Sequence, residues 1–260
     1  MLNQFFHEPI ALGLAQAAAV TLLSLGVMFL ARYQNIRLER EILVALARGF
    51  LQVVAVGSVL VFVLQGPWAL GLLVLLIMLV AAAFTAKRRV TTIPQALTVA
   101  LLGIGVGAGT VILSMTWLGV IDPALTSLIP VGSMIIANAM NTCTLALERF
   151  RAEVESHTGL IEAGLALGAD PRAIVRPYVQ AAVQASMIPR IDSLRSLGIV
   201  WIPGLMAGMI LSGTDPVYAA IYQFVIIAMI FATSGITALV SVLAVRGRIF
   251  TPAEQLILRP

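Results

Sequence analysis

Charge is scarce in this sequence. Asp, Glu, Lys and Arg make up 11% of its 260 residues, where a soluble domain carries about 25%. A soluble chain of this size could not cover its surface with so few hydrated groups. A soluble enzyme, a disordered chain and a nucleic-acid binder are therefore excluded. Cysteine is nearly absent, and Cys143 alone cannot form an intrachain disulfide. Lysine occurs once, as Lys87. It belongs to no G-x-x-x-x-G-K-[ST] phosphate loop, so the chain is not expected to hydrolyse ATP. The stretch Met1–Pro9 has neither Lys nor Arg. Without that positive segment the first apolar run is expected to be a retained span rather than a cleaved signal peptide.

What the chain has in abundance is apolar sequence, 60% of its residues. A bilayer core about 30 Å thick needs roughly 20 such residues in a helix. Seven runs are candidates: Ile10–Ala31, Ile42–Leu64, Trp68–Ala86, Gln95–Thr116, Ile129–Leu147, Leu197–Ser212 and Val217–Val245. The sixth is short and the seventh long. Open β-strands would leave unpaired backbone groups in lipid, so each run is expected to be a helix.

The few cations are sorted by loop. Arg32, Arg37 and Arg40 follow the first run, and Lys87, Arg88 and Arg89 the third. Arg149, Arg151, Arg172, Arg176, Arg190 and Arg195 follow the fifth, and Arg246, Arg248 and Arg259 the seventh. The alternate loops carry Glu8, Asp122 and Asp215 and no cation. Cytoplasmic loops concentrate Lys and Arg, so the N-terminus is expected outside and the C-terminus in the cytoplasm. The one remaining cation is Arg48, within the second run. Gly66-Pro67 joins the second and third runs almost directly, as in a tight antiparallel hairpin.

On this layout the only long polar stretch, residues 148–196, is a cytoplasmic segment. Arg149–Glu153 and Arg151–Glu155 are opposite charges at i, i+4, so the fifth helix is expected to run on beyond the membrane. It should stop near Ser156–Gly159, and Thr158 can cap a short helix from Leu160 to Leu167. Gly168 suits a helix end. Asp170-Pro171 reads as N-cap and first helical residue of the next element. Glu162 to Val175 is thus expected to be a helix–turn–helix elbow, its first arm built of small residues that a partner can approach closely.

The run Glu162-Ala163-Gly164-Leu165-Ala166-Leu167-Gly168-Ala169-Asp170-Pro171, followed by Ile174, resembles the "EAA" loop of ABC-transporter permeases, with Gly164 where Ala is usual. Two further stretches narrow the likeness. Ile135-Ile136-Ala137-Asn138-Ala139-Met140-Asn141-Thr142 and Ile202-Pro203-Gly204-Leu205-Met206-Ala207-Gly208-Met209-Ile210-Leu211-Ser212-Gly213, with Pro216, are similar to the FetB-type iron-export permeases. In the second stretch Ala207 and Met209 replace the Thr and Gln frequent in that family. The resemblance implies a permease subunit of an ABC exporter, for iron or a related metal, in a prokaryotic plasma (inner) membrane. It implies a separate cytoplasmic ATPase holding ATP and Mg, and a homodimer of the permease. Glu162, Ala163, Gly164, Gly168, Ala169, Asp170 and Pro171 would then couple to that ATPase.

Polar groups inside the spans are costly and default to functional hypotheses, at about 2.5–3.5 kcal/mol for a mid-span charge on insertion scales. Arg48, with Gln52 one turn on, either faces a cavity or snorkels to the headgroups. Its position about 9 Å from Ile42 favours snorkelling. Asn138, Asn141 and Thr142 share a helix face at i, i+3, i+4. They either bond neighbouring helices or line a translocation path, and the resemblance favours the path. Met206 and Met209 are counted with it. Met134, Met140, Met206, Met209 and Cys143 are soft donors but are read as packing residues. No span contains His, Asp or Glu, so no metal site and no cofactor are expected in this chain. Gly103, Gly105, Gly107, Gly109 and the Gly204/Gly208 pair are expected to let helices approach closely. Pro130 and Pro203 are expected to kink theirs.

The expectation is an all-α, polytopic membrane protein of seven transmembrane helices. Residues 1–260 form one transmembrane permease domain, its partners the lipid bilayer and an ATPase. A retinal pigment would need a lysine in the last run, which has none. An ion-coupled carrier would show intramembrane carboxylates. A permease for a non-metal small solute and a non-transporting membrane scaffold remain as alternatives.

Overall fold

A computed structural model describes residues 8–34, 36 and 39–258. Arg37 and Arg259 of the loop tally lie outside the described residues, as does His7. The chain divides into two units, Met1–Gln65 and Gly66–Pro260. In the first, α1 (Pro9–Tyr33) packs against α2 (Glu39–Leu64).

The second unit is a helical bundle of α3 (Trp68–Arg89), α4 (Ala96–Trp117), α5 (Leu125–Ser156), α6 (Thr158–Ala166), α7 (Pro171–Ile174), α8 (Arg176–Ser196), α9 (Gly204–Leu211) and α10 (Pro216–Val245). Helix α10 packs against α4, α5, α8 and α9, and α3 packs against both α4 and α5. Six helices among the described residues are long and apolar enough to cross a bilayer: α1, α2, α3, α4, α5 and α10. Their limits follow the expected runs closely, because long apolar stretches leave the backbone no partner but itself.

The sixth run is different. A single helix over Leu197–Ser212 is expected, but the helix there is only the eight-residue α9, Gly204–Leu211. That is about 12 Å at 1.5 Å per residue, too short to cross alone. The backbone reasons are local. Gly198 adopts φ +77°, and its N–H donates to the Trp201 carbonyl at 3.0 Å. Pro203 is the extended N-cap of α9, so it starts a helix rather than kinking one. Helix α8, read from sequence as part of a polar segment, instead packs along both α5 and α10, with Val179, Ala182 and Ser186 buried.

Small residues hold the bundle together, as expected where lipid supplies no hydrophobic drive between helices. A methyl group built on Gly103 would overlap Ser241 Oγ, and one on Gly107 would overlap Thr237 Oγ1, both on α10. A Cβ at Gly132 would lie 2.9 Å from Leu75 Cδ2 on α3. Gly105, Gly109, Gly204 and Gly208 have nothing within 4 Å at that position, so these four do not pack helices closely here. Helix α10 buries a polar row, Gln223, Thr233, Ser234, Thr237 and Ser241. Two of its hydroxyls meet α5: Thr142 donates to Ser234 Oγ at 3.0 Å, and Ser241 donates to Cys143 Sγ at 3.3 Å.

Candidate functional site

Two features carry chemistry, an elbow at the Ser156 end of α5 and a polar centre halfway along the bundle. The elbow is built as its residues dictate. Arg151 and Glu155 pair at 2.6 Å in the last turns of α5, while Glu153 lies 3.8 Å from the His157 ring nitrogen. That ring stacks on Tyr178 of α8, centroids 4.8 Å apart. Thr158 does not cap α6 with its side chain. It is the first residue of α6, and its hydroxyl donates back to the Val154 and Glu155 carbonyls.

Helix α6 ends at Ala166 with Leu167 as its C-cap, and the next residue, Gly168, has a φ of +83° that is natural only for a residue without Cβ. Asp170 then caps α7, its carboxylate accepting from the Ala173 N–H at 2.8 Å, with Pro171 at the first helical position. Gly164 is a close contact. A Cβ there would overlap the tip of the Ile174 side chain, so Ile174 seats over this bare position as α6 folds back on α7. Glu162, Ala163, Gly168 and Asp170 are exposed, and Ala169 and Pro171 partly so. Leu160 is 68% and Leu167 90% exposed. With Ala163 they lie at i, i+3, i+7, so the free face of the elbow is apolar.

The polar centre lies between α5, α8 and α10. Arg190 Nη1 donates to Asn138 Oδ1 at 2.6 Å. The Asn138 amide nitrogen is in turn fixed by the Met134 carbonyl at 2.7 Å, so the asparagine presents its oxygen to the guanidinium. Met134, Asn138, Arg190, Ser193, Trp201, Ile227, Ile230 and Phe231 line a cavity of about 110 Å³. Pro189 lies inside α8, next to Arg190, and its ring leaves one carbonyl of the preceding turn without a donor. Arg190 was expected in a cytoplasmic loop and Asn138 inside a span. Since they touch, the two residues share one depth.

The other expected path residues do not converge. Thr142 is turned to Ser234 and buried. Asn141 is exposed. Met206 is partly buried and lines neither this cavity nor the next. Met209 lines a second cavity, of about 440 Å³, with Asp122, Ser127, Leu205, Tyr218 and Tyr222 at the Pro216 end of α10. Arg48 and Gln52 are exposed on α2 of the first unit. Among the described residues no cluster of three or more His, Cys, Asp or Glu could hold a metal ion.

Arg190 and Ser193 were missed because the stretch around them is too polar for a span, and Trp201, inside the sixth run, because a single helix was expected there. A signal was available in the stripe of Val179, Ala182, Val183 and Ser186, the i, i+3, i+4, i+7 face of a helix that buries one side.

A family model described as "Uncharacterised protein family (UPF0014)" matches residues 14–250. The chain is 29% identical over 252 residues to the "Probable iron export permease protein FetB" of Escherichia coli, covering 96% of this chain and 95% of that protein. It is 30% identical over 247 residues to the "Protein ALUMINUM SENSITIVE 3" of Arabidopsis thaliana, covering 94% and 90%. It is 34% identical over 235 residues to the "UPF0014 membrane protein slr1647" of Synechocystis, covering 88% and 90%. No solved structure matches.

Proposed function

Because this multi-pass membrane chain belongs to the UPF0014 family, we propose that it is the permease subunit of an ABC transporter, driven by a separate cytoplasmic ATPase. The observation that carries the reading is the elbow. A short helix with an exposed apolar face, Leu160–Ala163–Leu167, is stopped by Gly168 and braced on α7 through Gly164 and Ile174. Ile161 on the other side of the helix is buried in the core, so the exposed face is held outward and suits a groove on a partner. Glu162, Ala163, Gly164, Gly168, Ala169, Asp170 and Pro171 form or shape it.

Iron or a related metal is the cargo that the name of the Escherichia coli relative favours. Two copies of the permease would each dock one ATPase. The N-terminus would be outside and the C-terminus cytoplasmic, the side of the elbow.

The sixth crossing in this reading is α8 and α9 together, interrupted at Leu197–Pro203. Asn138 is the midpoint of the expected span Ile129–Leu147, so Arg190 reaches mid-bilayer from the cytoplasmic side. Helix α9 continues toward Tyr218 and Tyr222, with which Leu205 and Met209 share a cavity. Arg190 and Arg195 then leave the loop tally and enter the crossing. Interrupted helices lining a cavity are a recurrent way to build a substrate path in lipid.

The test is co-purification of Leu160→Asp/Leu167→Asp with the cognate ATPase. Both side chains are exposed, so the fold is retained. Loss of association and of permease-stimulated ATP turnover is expected, and undiminished values for both would refute the docking role.

A further inference from the structure

Arg190 is a cation without a counter-charge. The ion pairs Arg151–Glu155 and His157–Glu153 do not involve it. The elements packed against it offer nothing else. Helix α10 has no Asp or Glu, and α5 has none before Glu148. The only carboxylate on α8 is Asp192. It stands two residues on, about 200° around the helix axis, and is exposed. One neutral amide, Asn138, receives the guanidinium. Of the five N–H donors an arginine carries, one is engaged within the chain.

Arg190 is half-buried, and an arginine drawn that far out of water to serve only structure would be expected to face a carboxylate, because the pair cancels the field that each charge exerts in a poor dielectric. Here the donors instead border a cavity. At about 110 Å³ it has room for about three or four waters of ~30 Å³ each, or for one oxyanion group. Gln223 lies further along the same face of α10, at i, i+4, i+7 with Ile227 and Ile230. It is 2% exposed, and neither its amide nitrogen nor its amide oxygen has a partner. An unpaired buried amide is costly to keep, because folding strips its water without replacing it. It does not line the cavity but stands one helical turn from Ile227, which does, and adds a second unused polar group on that face of α10.

We propose that the Arg190–Asn138 cavity is an oxyanion site, and that the cargo presents a phosphate or carboxylate group to it. That the ligand is cargo rests on the permease reading; the site does not. A bare metal cation is repelled by an uncompensated guanidinium at the narrow centre of its path. A metal would therefore pass here as an anionic complex, its charge carried by the chelating acid. Arginine suits this task because its planar fork matches the oxygens of carboxylate and phosphate.

The test uses the full chain in lipid nanodiscs without any ATPase, so that failure of ATP coupling and failure of this site are separable. Inorganic phosphate, ferric citrate and ferrous chloride are titrated by calorimetry into wild type, Arg190→Gln, Asn138→Asp and Arg195→Gln. Phosphate and ferric citrate should bind wild type and Arg195→Gln alike. Both should weaken at least tenfold in Arg190→Gln. Asn138→Asp keeps the arginine and nearly the same shape but supplies the missing counter-charge. It should lose anion binding while staying folded, which guards against misreading an unstable Arg190→Gln. Ferrous ion alone should not bind. The proposal is overturned if neither anion binds wild type, if Asn138→Asp binds them as wild type does, or if ferrous ion binds with an affinity that Arg190→Gln leaves unchanged.

Discussion

Gly107 offers a sharp test of how the bundle is held together. A Cβ there would overlap Thr237 Oγ1 and lie 3.0 Å from both Cβ and the backbone nitrogen of Thr237. The hydroxyl could rotate away, but the backbone nitrogen cannot, so α4 and α10 must separate. Forcing a methyl group into such a contact costs about 1–3 kcal/mol. Glycine to alanine also favours a helix by about 0.8–1.0 kcal/mol, which partly masks the loss. Gly105, two residues away on the same helix, has nothing within 4 Å, so Gly105→Ala carries the propensity gain and no clash. The difference in unfolding free energy between Gly107→Ala and Gly105→Ala should therefore recover the clash itself, about 1–3 kcal/mol. Reversible unfolding in mixed micelles, followed by helical circular dichroism, measures both variants against wild type. Equal stabilities, or a Gly107→Ala more stable than Gly105→Ala, would refute the close α4–α10 contact.

Two further perturbations address the polar contacts. Asp170→Ala removes the cap of α7 and should destabilise that turn by about 1 kcal/mol, seen as faster hydrogen exchange of the Ala173 amide with no change in the exchange of α10. The Thr142–Ser234 bond should give a coupling of about 0.6 kcal/mol in a double-mutant cycle of Thr142→Val and Ser234→Ala; additive effects would show that the bond contributes nothing.

The long apolar helices could be read from the sequence because lipid imposes one condition, internal satisfaction of the backbone, and apolar runs record it directly. The end of α6 before Gly168 and the cap of α7 at Asp170 were legible for a similar reason, since both are set by local backbone chemistry. The centre of the bundle was not legible. Arg190, Asp192 and Arg195 break the hydropathy of α8, and a count of cations by loop necessarily assigns the two arginines to a loop. What keeps α8 against α5 and α10 is its neighbours, which no one-dimensional pattern contains. The grouping of Asn138, Asn141 and Thr142 on one face was sound helical geometry. A face at least 100° wide can still touch two different helices, and here Asn138 meets α8 while Thr142 meets α10.

The interruption between α8 and α9 also bears on how the chain enters the membrane. In the proposed arrangement α8 takes two arginines and an aspartate, Arg190, Asp192 and Arg195, into the bilayer. Each is disfavoured by about 2.5–3.5 kcal/mol at a helix centre on the insertion scale. Helix α9, at eight residues, is too short to compensate. A translocon sampling the nascent chain one segment at a time would therefore pass over both. The strongly apolar α10 follows immediately, and the three would have to partition together, as a hairpin completed only once α10 has been made. Biogenesis of this protein then has a late, concerted step, and a chain truncated before Pro216 would be left with five crossings and its central arginine in the cytoplasm.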